Sequence, residues 1–176
     1  MNLKLKGTPG IYLVGFMGSG KSTVGRHLAH RLGWSFFDLD SEIERGEGLA
    51  IAEIFASKGE EEFRRIETEM LRQHVRWVER GRPSVLALGG GAFVQAANRE
   101  LLEDKGISIW LDCPFSVVER RAGNDPRRPL AADPVKFRAL FDSRREAYAQ
   151  ADLRVEIESD DPERVVEGIL CTPVLK

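Results

Sequence analysis

The residues whose types and spacing most clearly specify a chemistry lie near the start of the chain. Residues 15–23 read Gly-Phe-Met-Gly-Ser-Gly-Lys-Ser-Thr, which matches the phosphate-binding pattern G-x-x-x-x-G-K-[ST] in full. Triphosphate oxygens must be met by many backbone N–H groups in a tight loop. Glycines let the backbone approach and turn there without Cβ clashes. The pattern therefore predicts a site for ATP or GTP.

Individual side chains of this phosphate loop have separable expected roles. Lys21 would neutralise charge on the β- and γ-phosphates, and the Ser22 hydroxyl is suited to ligate Mg²⁺. An accidental glycine-rich turn is the alternative, but an apolar run precedes the motif and a helical pattern follows it. The residues predicted to bind the nucleotide are Gly18, Ser19, Gly20, Lys21, Ser22 and Thr23.

A pair of carboxylates, Asp38 and Asp40, follows the second apolar run. If strand geometry persists through both residues, their side chains point to one side. At the carboxyl end of a parallel strand that side is the ligand crevice. Asp38 could then hold Mg²⁺ through its waters, while Asp40 receives or orients the proton of an acceptor hydroxyl. Helix capping by Asp40 or Ser41 is the alternative.

Three consecutive glycines, residues 89–91, follow the third apolar run. They indicate close approach of another group to the backbone, unusual φ angles, or simply a flexible turn. Arginines also recur in the expected crevice, and a guanidinium can hold a carboxylate or phosphate at two points. A solvated helix face is the alternative for each one. These arginines are Arg64, Arg128, Arg138 and Arg144.

The elements that position these residues follow an alternating pattern. Short apolar runs alternate with longer amphipathic stretches, which predicts an α/β fold with a parallel sheet. The candidate strands are residues 11–14, 35–37, 85–88, 107–111 and 153–157, and the candidate helices are 21–31, 60–80 and 114–122. Glycines 33, 59 and 81 are expected to terminate helices. Residues 123–134 hold three prolines and no apolar period, which indicates an excursion from the core.

The bulk properties limit the class of protein. A chain of 176 residues suits one α/β domain. The formal charge of −2 argues against a nucleic-acid partner. Two distant cysteines, Cys113 and Cys171, favour a reducing compartment. No run approaches the ~20 apolar residues of a membrane span. We expect a cytoplasmic monomer that contacts neither nucleic acid nor membrane.

Five features occur in one order along the chain: the phosphate loop, the paired aspartates, the segment Phe-Arg-Arg-Ile-Glu at 63–67, the triple glycine, and Arg-Pro-Leu at 128–130. Together they resemble the shikimate kinase family over about residues 10–165. The resemblance implies that MgATP phosphorylates the 3-hydroxyl of shikimate, a step toward chorismate and the aromatic amino acids.

The same resemblance implies a fold. It is a three-layer αβα P-loop kinase core, similar to nucleoside monophosphate kinases, with a five-stranded parallel sheet in the order 2-3-1-4-5. It implies a single domain over residues 1–176. Within that domain, a helical substrate-binding segment covers about 40–80 and a lid covers about 123–134.

The resemblance also implies roles for individual residues. Asp40 would be the base that holds the shikimate hydroxyls, Asp38 would assist Mg²⁺, and Lys21 would carry phosphate charge. Arg128 would be the lid arginine that contacts the transferring phosphate, although Arg127 could take that role because the lid aligns ambiguously. The residues implied to contact shikimate are Arg64 and Arg138 at its carboxylate, the turn Gly89, Gly90 and Gly91, and the aromatic Phe55 and Phe63. Those implied to flank adenine are Arg121 and Pro162.

Three other functions fit part of this pattern. A gluconate kinase would also bind hydroxyls and a carboxylate, but the triple glycine and the 63–67 segment argue against it. A nucleotide kinase should phosphorylate AMP, CMP or dTMP. A regulator could keep the phosphate loop and transfer nothing, but the intact Asp38, Asp40 and Arg128 argue against that. ADP release with each acceptor in turn would discriminate among them.

Overall fold

The computed structural model describes residues 10–122 and 133–173. Five strands alternate with helices along this part of the chain. The strands are β1 (Gly10–Val14), β2 (Ser35–Asp38), β3 (Ser84–Ala87), β4 (Ile107–Asp112) and β5 (Leu153–Glu156). Each predicted strand is confirmed to within one residue at either end, because a glycine, a proline or a charged side chain bounds each apolar run.

The strands form one parallel sheet in the order β2-β3-β1-β4-β5, which confirms the expected topology. Leu13 of β1 lies between Ala87 of β3 and Ile109 of β4. Every residue of β1, β3 and β4 is buried, as expected for strands covered on both faces. Since all five strands run the same way, the loops that follow β1, β2 and β3 emerge at one edge of the sheet.

The helices cover both faces of this sheet. They are α1 (Lys21–Leu32), α2 (Leu39–Glu47), α3 (Ile51–Glu79), α4 (Ala96–Leu102), α5 (Phe115–Ala122), α6 (Pro134–Tyr148) and α7 (Pro162–Leu170), with a 3₁₀ turn at Ala92–Val94. α1 ends at Gly33 as predicted, and Gly33 takes a left-handed conformation that caps the helix. Within the described ranges, no helix has both the length and the apolar character to cross a membrane.

The break at Gly59 is a feature of α3 that the sequence partly predicted. Gly59 has φ 81° and ψ 170°, so two helical segments meet there at a kink. The predicted helix 60–80 that begins after Gly59 is confirmed to within one residue. Apolar spacing did not predict the helical turns at residues 51–58, which fall within the helical segment implied by the resemblance.

The junction between β2 and α2 differs from the expectation. Asp38 ends β2 and caps α2, because its carboxylate accepts a hydrogen bond from the Ser41 N–H at 3.3 Å. Asp40 therefore lies in the first turn of a helix. The prediction that strand geometry persists through Asp40 is wrong, and so is the alternative that Asp40 or Ser41 provides the cap.

Candidate active site

The phosphate loop joins β1 to α1 and closes around a buried lysine. The Lys21 ammonium donates hydrogen bonds to the carbonyls of Gly15 at 2.8 Å and Phe16 at 2.9 Å. Gly20 precedes α1 with φ 93°, and no side chain caps this helix. The first N–H groups of α1 are therefore not taken by a cap, which leaves an anion-binding helix start beside a cation.

The two side chains predicted to serve Mg²⁺ meet at this loop. The Ser22 hydroxyl donates a hydrogen bond to the Asp38 carboxylate. In the part of the chain that the structure describes, no group of three or more His, Cys, Asp or Glu side chains could hold a metal ion. A hydroxyl and a carboxylate nevertheless fit Mg²⁺, which takes one or two protein oxygens and completes its shell with phosphates and water.

Two glycines of the triple-glycine turn lie against predicted site residues. A Cβ on Gly89 would lie 2.5 Å from Asp40 Oδ1, and a Cβ on Gly91 would lie 2.5 Å from Arg64 Nη2. None of residues 89–91 has a positive φ. Close approach to the backbone is therefore what requires glycine here, rather than an unusual backbone conformation.

The middle glycine connects the phosphate loop to the acceptor side. A Cβ on Gly90 would lie 3.2 Å from Arg144 Nη1 and 3.5 Å from the backbone nitrogen of Met17 in the phosphate loop. The Gly90 carbonyl accepts a hydrogen bond from the Tyr148 hydroxyl. The turn is thus the point at which the two halves of the site meet.

A group of charges surrounds this turn. Arg64 Nη1 donates to the carboxylate of Glu67 at 2.8 Å, and Glu67 is 1% exposed. Burial raises the pKa of Glu67, and Arg64 opposes that rise. Burial also raises the pKa of Asp40, the nearby Asp38 raises it further, and Lys21 and Arg64 oppose the rise. Asp40 is thereby shifted toward the range of a general base that works near neutral pH.

One N–H group of the Arg64 guanidinium is available to a ligand. Its Nε is buried and has no hydrogen-bond partner among the described residues. A buried donor without a partner costs free energy unless a ligand satisfies it. Glu67 was not among the predicted site residues. Its position three residues after Arg64 on one helix is the sequence feature that indicates contact between the two side chains.

Arg138 does not join this group. Its Nε donates to Asp142 at 2.9 Å, its guanidinium lies 4.7 Å from the ring centroid of Phe115, and 56% of its side chain is exposed. This placement does not support the role predicted for Arg138 at the substrate carboxylate. Arg144, which the sequence had also singled out, lies beside the triple glycine instead.

The phase of α6 explains the difference. Phe137, Phe141 and Tyr148 are buried along this helix, and Arg144 continues their stripe at spacings of four, three and four residues. Arg138 follows Phe137 by one residue, which turns it about 100° around the helix axis. The apolar spacing is therefore the sequence signal that identifies Arg144.

The predicted aromatic residues form a wall beside Arg64. The rings of Phe55 and Phe63 are stacked, with centroids 4.4 Å apart and an interplanar angle of 30°. The Arg64 guanidinium lies 5.2 Å from the Phe63 ring centroid. The two helical segments of α3 that meet at Gly59 bring this pair together.

The residues expected beside adenine lie at the other side of the phosphate loop. Arg121 Nη1 donates to the carbonyl of Gly18 at 2.9 Å, and Arg121 also contacts the Asp160 carboxylate. Pro162 lies two residues beyond Asp160, at the start of α7. The predicted lid arginine, Arg128, and its alternative, Arg127, lie outside the described residues.

A family model described as shikimate kinase matches residues 17–172. This chain belongs to the shikimate kinase family. Membership makes it a kinase for which ATP is the phosphoryl donor. The family expected from the ordered motifs is confirmed.

Individual shikimate kinases are similar to this chain over most of its length. That of Synechococcus elongatus is 46% identical over 164 residues, which cover 91% of this chain and 84% of the relative. That of Persephonella marina is 43% identical over 161 residues, which cover 91% and 96%. The solved shikimate kinase from Acinetobacter baumannii in complex with shikimate is 41% identical, with a TM-score of 0.85 and coverage of 92% and 90%.

Proposed function

We propose that this chain transfers the γ-phosphoryl group of ATP to the 3-hydroxyl of shikimate. The observation that carries the proposal is the position of Gly90. A Cβ there would lie 3.5 Å from the phosphate loop and 3.2 Å from Arg144. ATP bound at the phosphate loop and a carboxylic acid held by the arginines would therefore lie next to each other. The solved relative that holds shikimate supports this acceptor.

The acceptor is a small acid with several hydroxyl groups, and the site offers a partner for each kind of group. Arg64, which has an unpartnered Nε, and Arg144 would hold the carboxylate. Their positions on either side of the triple glycine support Arg144, rather than Arg138, in that role. Asp40 would hold the reacting hydroxyl, and the stacked Phe55 and Phe63 would line the pocket.

The chain's own groups account for the chemical step. Asp40 accepts the proton of the 3-hydroxyl, while the oxygen of that hydroxyl forms a bond to the γ-phosphorus of ATP. The bond from that phosphorus to the bridging oxygen breaks, and ADP leaves. Lys21 offsets charge on the phosphates. Ser22 and Asp38 would hold Mg²⁺, which when bound supplies further positive charge at the phosphate oxygens.

The same proposal extends to the organisation of the chain. We take residues 1–176 as one kinase domain in which about 40–80 form the substrate-binding segment, since α2 and α3 carry Asp40, Arg64 and the aromatic pair. Arg121 and Pro162 would flank adenine. The hydrogen bond from Arg121 to Gly18 of the phosphate loop supports this, and Pro162 lies two residues after Asp160, which Arg121 contacts. The lid at about 123–134, with Arg128 or Arg127, remains a prediction from the sequence.

The test is ADP release from MgATP in a coupled assay, with shikimate, gluconate and a mixture of nucleoside monophosphates each offered separately. We expect shikimate alone to support ADP release. Release with gluconate or a nucleotide instead would contradict the assignment of the acceptor site. Release with none would favour a nucleotide-binding regulator.

A further inference from the structure

Tyr148 is a buried side chain at the site to which the proposed mechanism gives no role. It lies at the end of α6 and is 1% exposed. Its hydroxyl donates a hydrogen bond to the carbonyl of Gly90, in the middle of the triple glycine. The Arg144 guanidinium, one helical turn earlier on α6, lies beside the same glycine: a Cβ added to Gly90 would be 3.2 Å from Arg144 Nη1 and 3.9 Å from the Tyr148 hydroxyl.

The direction of this hydrogen bond is fixed by chemistry. A carbonyl oxygen only accepts, so the Tyr148 hydroxyl uses its single proton on Gly90. Burial raises the pKa of Tyr148 to about 12, and Arg144 opposes the rise. The hydroxyl therefore keeps that proton at neutral pH and holds the Gly90 carbonyl.

The glycine turn needs such a tether. Glycines lack the Cβ that restricts φ and ψ, so three in a row can adopt many conformations. The Tyr148 hydroxyl fixes the peptide plane between Gly90 and Gly91 by holding its carbonyl. On the far side of the turn, the buried Asn98 amide donates to the Ala92 carbonyl at 2.9 Å.

Tyr148 is itself rigidly supported. Its ring packs against Trp110 of β4 with centroids 6.1 Å apart. The neighbouring Arg145 donates two hydrogen bonds to the buried Asp112 at the end of β4, at 2.6 and 2.9 Å. This bidentate pair ties α6 to the sheet, so the Tyr148 hydroxyl is held at a fixed position relative to the phosphate loop that follows β1.

We propose that Tyr148 is a positioning residue for the acceptor. Its hydroxyl holds the Gly90 peptide beside the Arg144 guanidinium, in the arrangement that binds the substrate carboxylate and hydroxyls. The inference rests on the proposed function, because it assigns Tyr148 to the acceptor half of the same site. Tyr148 would then affect binding of the acceptor and not binding of the nucleotide, which involves Lys21 and Arg121.

The chain contains a matched control. It has two tyrosines, and the other, Tyr12, is likewise buried with its hydroxyl donating to a backbone carbonyl, that of Lys105 at 3.2 Å. Lys105 precedes β4, so this hydroxyl lies at the opposite edge of the sheet from the triple glycine. Tyr12→Phe and Tyr148→Phe remove the same atom from equally buried side chains.

The first measurement is the initial rate of ADP release while shikimate and ATP are varied in turn. We expect Tyr148→Phe to raise the KM for shikimate about tenfold, the scale of a lost hydrogen bond that orients a charged group. The KM for ATP should change less than about twofold. Tyr12→Phe should change neither KM, while thermal unfolding should show a similar drop in Tm for both variants.

An unchanged KM for shikimate in Tyr148→Phe, or an equal rise in both KM values, would overturn the inference while leaving the proposed function intact. A wild-type chain that shows no turnover with shikimate would overturn both.

A second measurement does not require an active Tyr148→Phe variant. Biosynthetic 3-fluorotyrosine in the Tyr12→Phe background places a single ¹⁹F probe at Tyr148. Its resonance should shift when shikimate is added and stay in place with gluconate. In the Tyr148→Phe background, the probe at Tyr12 should not respond. A Tyr148 resonance that ignores shikimate in an enzyme that turns it over would also overturn the inference.

Discussion

Asp40 and Glu67 are both carboxylates beside Arg64, but they have different partners. Glu67 accepts a hydrogen bond from Arg64 and is sealed from solvent, so it acts as a fixed counter-charge. No hydrogen bond from the described residues reaches the Asp40 side chain, which lies against Gly89. Burial and Asp38 raise the pKa of Asp40. These differences favour Asp40, rather than Glu67, as the base in the proposed reaction.

We expect Asp40→Asn to lower kcat by about 10²-fold or more, the usual scale for a lost general base. Asparagine keeps the shape of the side chain and removes its basicity. The acidic limb of kcat/KM against pH should report a pKa above the ordinary 3.8 of an aspartate. Glu42→Gln is a suitable control, because it lies in the same helical turn and only loses an ion pair to the exposed Arg45. A kcat equal to the wild type in Asp40→Asn would remove Asp40 from this role.

Two arginines on α6 give an internal comparison for carboxylate binding. Arg144→Ala should raise the KM for shikimate by about tenfold or more, since a partly buried guanidinium that would contact the carboxylate is lost. The KM for ATP should change much less. Arg138→Ala loses an exposed ion pair to Asp142, and we expect it to leave the KM for shikimate within about twofold. The reverse order of effects would restore Arg138 to the role that the sequence predicted.

At the scale of elements, local patterns predicted the strands because each apolar run ends at a residue that stops a strand. They failed at the β2–α2 junction, since Asp38 could either continue a strand or cap a helix and only its contact with Ser41 decides between them. At α6, the family resemblance implied Arg138, whereas the phase of the helix places Arg144 beside the glycine turn. Likeness to a family motif identifies the helix. The spacing of the buried residues along that helix identifies which arginine faces inward.

The triple-glycine turn gives a test of close packing. Gly91 has φ −96°, which alanine can adopt, but an added Cβ would lie 2.5 to 2.9 Å from the Arg64 guanidinium. Gly91→Ala should therefore keep the fold, displace Arg64, and raise the KM for shikimate severalfold. Gly168→Ala in α7 is the matched control, because nothing lies within 4 Å of its added Cβ. That control should stabilise the protein by about 0.4–1 kcal/mol. An unchanged KM in Gly91→Ala would argue against a role for Arg64 at the acceptor.

At the scale of the whole molecule, the strand order explains how distant residues meet. β1 and β3 are neighbours, and β2 flanks β3. The phosphate loop, the aspartates and the glycine turn therefore emerge side by side. The sequence predicted this edge because each motif follows an apolar run. It placed Arg144 in the crevice by residue type alone. It did not predict Tyr148 or the contacts of these two residues with the turn, since both reach it from more than 50 residues away through tertiary packing.

The same packing predicts a pH dependence of stability far from the site. Burial lowers the pKa of His74 to about 4, against 6.5 for an unperturbed histidine. Its ring packs against Tyr12 and Phe37, and its Nε2 lies 3.0 Å from Ser84 Oγ. Between pH 4 and 6.5 the unfolded chain binds the proton more readily. The stability due to neutral His74 is therefore complete above pH 6.5 and is lost as pH falls toward 4.

Urea unfolding at pH 7.0, 5.5 and 4.5 measures this effect. The loss of unfolding free energy over that range should be smaller in His74→Gln than in the wild type. His30→Gln, at an exposed position on α1, should leave the pH dependence unchanged. Equal pH dependence in all three proteins would show that His74 is not held neutral by burial.

The most direct test of the proposed reaction is the identity of its product. Shikimate and MgATP would be incubated with the protein, and the phosphorylated product examined by ¹H–³¹P correlation NMR. We expect one new phosphate ester whose phosphorus couples to the proton on carbon 3 of the shikimate ring. Coupling to the proton on carbon 4 or 5, or no ester at all, would contradict the acceptor geometry built around Asp40, Arg64 and Arg144.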